Sequence, residues 1–280
     1  MRPAADNLAP AAGRPLNVPP YFPITMETMP ANSAAIAIHG LRKLYGEKAA
    51  VDGLSLTVPR GCFFGFLGRN GAGKTTTIRM LLGLLTPTAG SIEMLGWPLP
   101  QGALEVKRRL GVVPEESVLF DRLTGAEYLE FAGRMYGLER GVAAARGREL
   151  LGLFQLDGEP KKLIADYSKG MRKRLSMAAA LIHRPELYLL DEPFEGVDAV
   201  GARLMKDLLL DQIRQGATVF LTSHVLEVVE RLCDRVAIIH HGRLVLEGAT
   251  AELHQGAETL EDVFVRLVGA EHAVERLDWL

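Results

Sequence analysis

Cysteine is scarce in this 280-residue chain, and its placement excludes several kinds of site. The two cysteines, Cys62 and Cys233, are far apart, and neither belongs to a C-x-x-C pair. A disulfide framework or a cysteine-based zinc site is therefore not expected. Two isolated cysteines in apolar stretches are typical of small core residues in a reducing compartment.

Charge imbalance and long apolar runs are also lacking. Lys and Arg total 32 against 34 Asp and Glu, so the net charge of −2 gives no basic surface for nucleic acid, and no nucleic-acid partner is expected. No apolar run approaches the roughly 20 residues needed to span a bilayer. Residues 1–33 are rich in Pro and Ala without the apolar segment of a secretory signal, and we expect them to form a disordered extension.

The chain does contain enough apolar residues for a core, and they follow two kinds of periodicity. Hydrophobic residues make up 48% of the chain, as in ordinary globular domains. Short apolar runs at "GCFFGFLG" and "ATVFLTS" are typical of buried strands, whereas the middle of the chain has mostly helical spacing. We therefore predict an α/β domain at 34–248, interrupted by a helical subdomain at about 115–183 and followed by a helical tail at 249–280.

A glycine-rich segment, "GRNGAGKTT", lies between a predicted strand and a predicted helix. Gly68, Gly73, Lys74 and Thr75 match the phosphate-binding pattern G-x-x-x-x-G-K-[ST]. Phosphate oxygens need many backbone N–H donors at close range, and glycine allows that approach because it has no Cβ. Lys74 is predicted to reach the β- and γ-phosphates of a nucleotide, and the Thr75 hydroxyl to bind Mg²⁺. The predicted phosphate-binding residues are Gly68, Asn70, Gly71, Gly73, Lys74, Thr75 and Thr76.

Two acidic residues end the apolar run "LYLLDE". A carboxylate at the end of a buried strand can bind Mg²⁺, and its neighbour can accept a proton from an attacking water. We therefore predict that Asp191 is a metal ligand and that Glu192 is a general base. Acidic residues that cap an unrelated strand would look the same, but together with the glycine-rich segment the pair indicates nucleotide hydrolysis.

His224 and Ser168 are further candidates. His224 closes "ATVFLTSH", where its ring can contact a γ-phosphate, although a single histidine is more often structural. Ser168 lies in "DYSKGM", and it can equally be the N-cap of the helix that follows. Both interpretations of Ser168 remain open from these residues alone.

The order of these motifs resembles that of the nucleotide-binding subunit of ABC transporters, from about residue 35 to residue 268. "YSKGM" resembles the family's signature sequence, LSGGQ, with Ser168 and Gly170 at its serine and second glycine. Tyr45 stands where the family stacks an aromatic ring on adenine, and His224 stands at the position of the switch histidine. The resemblance implies a P-loop NTPase fold, which has a mainly parallel sheet, an antiparallel β subdomain and an inserted α-helical subdomain.

Two motifs depart from the family's pattern. Lys169 and Met171 replace the first glycine and the glutamine of the signature. Glu115 replaces the glutamine that precedes the helical subdomain. Its carboxylate can bind Mg²⁺ or a water on the metal, yet it also brings negative charge toward the γ-phosphate. The metal ligands that the resemblance implies are Thr75, Asp191 and Glu115.

The resemblance further implies an ATPase that uses ATP and Mg²⁺ to power transport. In the family each ATP lies between the P-loop of one subunit and the signature of another, so a homodimer or heterodimer of ATPase subunits is expected. Because this chain has no spanning segment, the permease is expected to be a separate polypeptide, with this subunit cytoplasmic and peripheral on the inner face of the membrane. The tail "TLEDVFVRLVG" resembles those of the drug-, lipid- and antibiotic-export branch.

Three other functions fit parts of the same pattern. A soluble ABC-type ATPase that acts on ribosomes or DNA has the same motifs, but such proteins usually join two cassettes or insert coiled coils or zinc modules. A GTPase would carry an N-K-x-D motif, and none of the four asparagines here precedes a lysine. A nucleotide-binding module without turnover would not need Glu192 and His224.

Overall fold

The structure, a computed structural model, describes residues 34–253 and 259–269. The predicted N-terminal extension, residues 1–33, lies outside these ranges, as do parts of the predicted tail. Within the two described ranges, no helix combines the length and the apolar character needed to cross a bilayer.

Strands come first in the described chain, and helices then separate most of the later strands. The strands are β1 (Ala34–Tyr45), β2 (Lys48–Pro59), β3 (Phe63–Leu67), β4 (Ala89–Met94), β5 (Trp97–Pro98), β6 (Leu110–Val113), β7 (Leu187–Asp191), β8 (Thr218–Ser223), β9 (Arg235–His240) and β10 (Arg243–Ala249). The helices are α1 (Lys74–Leu81), α2 (Ala103–Arg108), α3 (Gly125–Met135), α4 (Arg140–Leu153), α5 (Lys169–Leu181), α6 (Ala199–Arg214), α7 (Leu226–Leu232), α8 (Thr250–Leu253) and α9 (Leu260–Val268). A short 3₁₀ helix spans Ile164–Asp166.

These strands form two sheets. The larger sheet has the order β10-β9-β3-β8-β7-β6, and every neighbouring pair in it is parallel except β9 and β10. Strands β2, β1, β4 and β5 form the second sheet, which is antiparallel. The predicted α/β fold is therefore confirmed, including its mainly parallel sheet and its antiparallel β subdomain. Helices α3, α4 and α5 supply the helical part.

Burial on both faces explains why the central strands are continuous apolar runs. Every residue of β3, β7 and β8 is buried. On β3, Phe63 and Leu67 face a core shared with α3, α5 and α6, whereas Phe64 and Phe66 face a core shared with α1 and the antiparallel sheet. A parallel sheet covered on both sides requires apolar side chains at successive positions rather than at alternate ones.

Parallel register brings the ends of several strands to one edge of the larger sheet. Leu67, at the end of β3, pairs with Ser223 at the end of β8, and Asp191, at the end of β7, pairs with Thr222. The segments that follow β3, β6, β7 and β8 therefore leave the sheet at the same edge, which is where open parallel sheets bind ligands. The candidate site lies at this edge.

His183, just beyond the end of α5, lies in a contact between the helical part and the larger sheet. Its ring stacks on Tyr136, with centroids 3.5 Å apart, and its Nε2 donates to the carbonyl oxygen of Leu110 at 3.2 Å. Nδ1 is buried without a hydrogen-bond partner among the described residues. Burial lowers the pKa of His183 to about 4, and the contact with Leu110 opposes that shift only in part.

The low pKa of His183 predicts acid sensitivity of the fold. Because the native state resists a proton that the unfolded chain accepts near pH 6.5, this contribution to stability is complete above that pH and is lost as pH falls toward 4. After a discount for partial exposure, the loss between pH 7 and pH 5 is about 1–2 kcal/mol of unfolding free energy. Urea unfolding at both pH values should show this drop in the wild type and a smaller drop in His183→Phe. His39→Gln, at an exposed histidine of β1, is the control, and an equal drop in all three proteins contradicts the assignment.

Candidate active site

The predicted phosphate-binding segment is a loop between β3 and α1, and two of its glycines cannot carry a side chain. Gly73, which precedes α1, has φ = 112°, and a Cβ there would lie 2.6 Å from the carbonyl oxygen of Ala50. A Cβ on Gly68 would lie 2.6 Å from the carbonyl oxygen of Ile239. The loop is therefore packed tightly enough on its scaffold that only glycine fits, as the sequence pattern predicts.

Two other elements brace this loop from behind. The N–H of Gly242, in the turn between β9 and β10, donates to the carbonyl oxygen of Ala72 at 2.9 Å. The carbonyl of Gly242 in turn accepts from the N–H of Asp52, on β2, at 2.8 Å. The backbone of the loop is thus tied to both sheets at its centre.

Lys74, the first residue of α1, folds back over the same loop. Its Nζ donates to the carbonyl oxygen of Gly68 at 2.6 Å, and 7% of the residue is exposed. Burial lowers the pKa of Lys74, and the carboxylates of Glu192, Asp191 and Glu115 oppose that shift. A largely buried cation facing three carboxylates and the N-terminus of a helix is well placed to bind a phosphate.

Asp191 and Glu192 are both buried at the end of β7. Burial raises the pKa of Asp191, while the hydroxyl of Thr222, which donates to Asp191 Oδ1, works in the opposite direction. Glu192 has a left-handed backbone (φ = 47°), and its N–H donates to the carbonyl oxygen of Thr222 at 3.2 Å. One threonine of β8 therefore holds the side chain of Asp191 and the backbone of Glu192.

His224, which follows β8, contacts the second of these carboxylates. Its Nδ1 lies 3.0 Å from Oε1 of Glu192, and about half of the side chain is exposed. A histidine that donates from Nδ1 fixes the orientation of the carboxylate that receives the bond. The structure thus brings together two residues that are predicted separately as a base and a phosphate contact.

An open cavity of about 290 Å³ lies between these elements. Nine predicted residues line it: Asn70, Gly71, Gly73, Lys74, Thr75, Thr76, Glu115, Asp191 and Glu192. Ala50 and Arg69 complete the lining, and the residue patterns of the chain gave no reason to single out either. The loop amides and the Lys74 ammonium suit the phosphates of a nucleoside triphosphate, and the carboxylates suit its metal ion. The oxygen-rich set of Thr75, Asp191 and Glu115 is the ligand chemistry that Mg²⁺ prefers.

Five predicted residues do not line this cavity: Gly68 and His224, described above, and Tyr45, Ser168 and Gly170. Tyr45, at the end of β1, is 52% exposed, and Nζ of Lys43 lies 5.5 Å from its ring centroid. Ser168 is the N-cap of α5, where its Oγ accepts from the N–H of Met171 at 3.2 Å. Gly170 packs on the segment after Glu192, because a Cβ there would lie 2.8 Å from the carbonyl oxygen of Gly196. Capping, one of the two interpretations of Ser168, is therefore observed.

Two buried residues beside the site are not predicted from the sequence. Thr222 holds Asp191, as described above. Lys173, on α5, donates to the backbone carbonyl oxygens of Pro114 and Glu115. Neither belongs to a motif with a recognised chemistry, and only the pairing of β7 with β8 and the packing of α5 on β6 bring them to the site.

Comparison with known proteins decides the family. The chain matches the ABC transporter family over residues 51–195, a range that includes the loop with Lys74 and the pair Asp191 and Glu192. The chain belongs to the ABC transporter family. This ABC ATPase is 42% identical over 221 residues to the Nod factor export ATP-binding protein I of Cupriavidus metallidurans, across 79% of this chain and 73% of that protein.

Other relatives agree. The ABC ATPase is 42% identical over 216 residues to the bacitracin transport ATP-binding protein BcrA of Bacillus licheniformis, across 77% of this chain and 70% of that protein. A solved ATP-binding subunit of an ABC transporter superposes with a TM-score of 0.78 at 31% identity, covering 83% of this chain and 99% of that one. The prediction of an ATP-binding and ATP-hydrolysing subunit of an ABC transporter is thus confirmed, and the alternative of a soluble ATPase on ribosomes or DNA is not favoured.

Proposed function

We propose that this ABC ATPase powers export through a separate membrane permease, and that Mg-ATP binds in the cavity beside α1. The observation that carries this proposal is the parallel register. It brings Lys74, Asp191 with Glu192, and His224 from three different strand ends to one site. Export, rather than import, is supported by relatives that are named for Nod factor export.

Phosphate binding falls to the loop and Lys74. The loop amides and the Lys74 ammonium would hold the phosphates, while Thr75, Asp191 and Glu115 would hold Mg²⁺. When bound, Mg²⁺ neutralises charge on the phosphate oxygens. Thr222 keeps the Asp191 carboxylate in one orientation. Tyr45, exposed at the end of β1, would stack on the adenine ring.

Hydrolysis requires a base beside the γ-phosphate, and Glu192 is our candidate. Its carboxylate shares the cavity with Lys74 and would accept a proton from the attacking water. His224, 3.0 Å away, holds the carboxylate and would orient the γ-phosphate and the water. The left-handed backbone of Glu192, paired with Thr222, places this side chain at the cavity wall.

The position of Ser168 and Gly170 supports a dimer. Both residues lie outside the cavity that Lys74 lines, at the start of α5. A protomer therefore has a phosphate-binding loop and a signature that do not meet within one chain. We infer that each signature completes the nucleotide site of a second ATPase subunit, either another copy of this chain or a close relative.

An aromatic surface on the helical part is our candidate for permease docking. It consists of Phe120, Tyr128 and Phe131, with ring centroids of Phe120 5.3 Å from Phe131 and 6.1 Å from Tyr128, together with exposed Val118 and Met135. This surface follows Glu115 directly in the chain, so a partner bound to it would sense changes at the nucleotide site. Docking there would place the subunit on the inner face of the cell membrane.

Removing the aromatic surface should separate the ATPase from its permease. We expect Phe120→Ala with Phe131→Ala to lower the amount of multi-span membrane protein that purifies with this chain by more than tenfold, because aromatic anchors contribute about 2 kcal/mol or more at interfaces. ATP binding by the purified subunit should be unchanged. Affinity purification from membranes followed by mass spectrometry measures the effect.

The matched control is Val245→Ala, which removes an exposed apolar side chain from β10. It should purify with the membrane protein as the unaltered chain does. Equal recovery of the membrane protein with the double variant overturns the docking surface. Recovery of ribosomes or DNA in place of a membrane protein overturns the transport proposal itself.

A further inference from the structure

Lys173 is a buried lysine on α5 to which the proposed function gives no role. It is 1% exposed. Its ammonium donates to the carbonyl oxygens of Pro114, at 3.0 Å, and of Glu115, at 2.7 Å. These two residues begin the segment that follows β6, so a side chain of α5 fixes the point where this segment leaves the sheet.

Packing alone does not account for a lysine here. Moving an ammonium out of water costs several kcal/mol, and both of its hydrogen bonds end on neutral carbonyl groups. Burial lowers the pKa of Lys173, although the carboxylates of Glu195, Asp191 and Glu115 oppose that shift. Methionine would fill a similar volume without the cost of burying a charge. A lysine can donate hydrogen bonds to both carbonyl oxygens, whereas an apolar residue would leave them without that partner.

Glu115 is the residue whose position depends on this anchor. Its side chain lines the nucleotide cavity and also a neighbouring cavity of about 460 Å³, which Lys173 lines as well. Within the described part of the chain, no hydrogen bond holds its carboxylate. The region that this carboxylate can reach is therefore limited by the position of its own backbone, and Lys173 is the side chain that holds that backbone.

One turn earlier, a second lysine of α5 contacts another segment beside the nucleotide cavity. Lys169 forms an ion pair with Glu195, at 2.7 Å, three residues after Glu192. One helix thus touches the segments adjoining two cavity carboxylates, those of Glu115 and Glu192. The contact of Lys169 is largely exposed, whereas that of Lys173 is buried and has fixed partners.

We propose that Lys173 is a positioning residue that sets the location of the Glu115 carboxylate in the nucleotide cavity. This inference rests on the proposed role of that cavity in binding Mg-ATP. Lys173 itself touches only the backbone and acts through Glu115. If so, the effect of removing the ammonium must disappear when Glu115 has no carboxylate to position.

A double-mutant cycle tests this dependence. We expect Lys173→Met to lower kcat/KM for Mg-ATP about tenfold in the wild-type background and less than twofold in the Glu115→Ala background, since coupled residues are not additive. Lys173→Gln keeps an N–H donor and should recover most of the activity. Lys161→Met, at an exposed lysine in the helical part, is the matched control and should change nothing.

Amide hydrogen exchange without nucleotide supplies a readout other than activity. Peptides covering residues 114–119 should exchange faster in Lys173→Met than in the wild type and Lys161→Met. Equal losses of kcat/KM in both backgrounds, or unchanged exchange at 114–119, overturn the proposal. If Lys173→Met does not fold, the same cycle with Lys173→Gln should show a smaller coupling of the same sign, and its absence is equally decisive. Failure of the wild type to bind ATP overturns the proposed function instead, while the exchange experiment still tests the anchor.

Discussion

Glu192→Gln is expected to bind ATP as the wild type does and to hydrolyse it about 10²–10⁴ times more slowly, the usual contribution of a general base. Glutamine has nearly the same shape, and the contacts of residue 192 with Thr222 are made by its backbone N–H, so they should persist. It cannot accept a proton from water. The variant should therefore stop at the stage before hydrolysis, in which ATP remains bound.

The same variant tests the proposed dimer. With ATP uncleaved, both subunits remain in contact with the γ-phosphate, and Glu192→Gln should accumulate as a dimer in Mg-ATP but not in Mg-ADP. Phosphate release assays and light scattering after size exclusion measure turnover and mass. Glu186→Gln, at a partly exposed acid just before β7, is the matched control and should turn over normally as a monomer–dimer mixture. Turnover near the wild-type rate in Glu192→Gln removes the residue from the role of base.

Lys74→Ala is expected to weaken ATP binding by about 100-fold. The ammonium supplies charge-assisted hydrogen bonds to phosphate, each worth roughly 1.5–3 kcal/mol, and a factor of ten in affinity corresponds to about 1.4 kcal/mol. When the Lys74 ammonium is removed, the carboxylates of Asp191, Glu192 and Glu115 would face the phosphates without that cation to offset the repulsion. Titration with ATP in a calorimeter measures the affinity directly.

Two controls make the result specific to the site. Lys161→Ala removes an exposed lysine in the helical part, and its ATP affinity should equal that of the wild type. Circular dichroism of Lys74→Ala should show an unchanged fold, because the lysine bonds only to a backbone carbonyl of its own loop. Wild-type affinity in Lys74→Ala would mean that the cavity beside α1 is not where ATP binds.

Much of the fold and most of the cavity could be predicted because short stretches of sequence indicate them. The apolar runs of β3, β7 and β8 have no alternation, which indicates strands covered on both faces. The glycine spacing before Lys74 indicates a loop on which side chains do not fit, and Gly68 and Gly73 are indeed pressed against backbone carbonyl groups. Such features depend on neighbours in sequence, so one sequence is enough to find them.

What could not be predicted depends on contacts between distant segments. Thr222 reaches Asp191 only because β8 pairs with β7 in one particular register. Lys173 reaches Glu115 only because α5 packs on the end of β6. The contact between His224 and Glu192 likewise joins two residues that carry no mutual signal in the sequence. The hydrophobic periodicity of one segment does not predict which side chains of another strand it contacts, even when those side chains complete a recognised motif.

The turn between β9 and β10 has a mechanical consequence. The N–H of Gly242 donates to Ala72 and its carbonyl accepts from Asp52, so the phosphate-binding loop is joined to both sheets. Among the described residues, no backbone hydrogen bond joins the loop to α3 or α4. A shift of α3 or α4 therefore need not change the backbone N–H groups that this loop offers to phosphate. We therefore expect substitutions in the aromatic surface to impair transport while the affinity for ATP is retained.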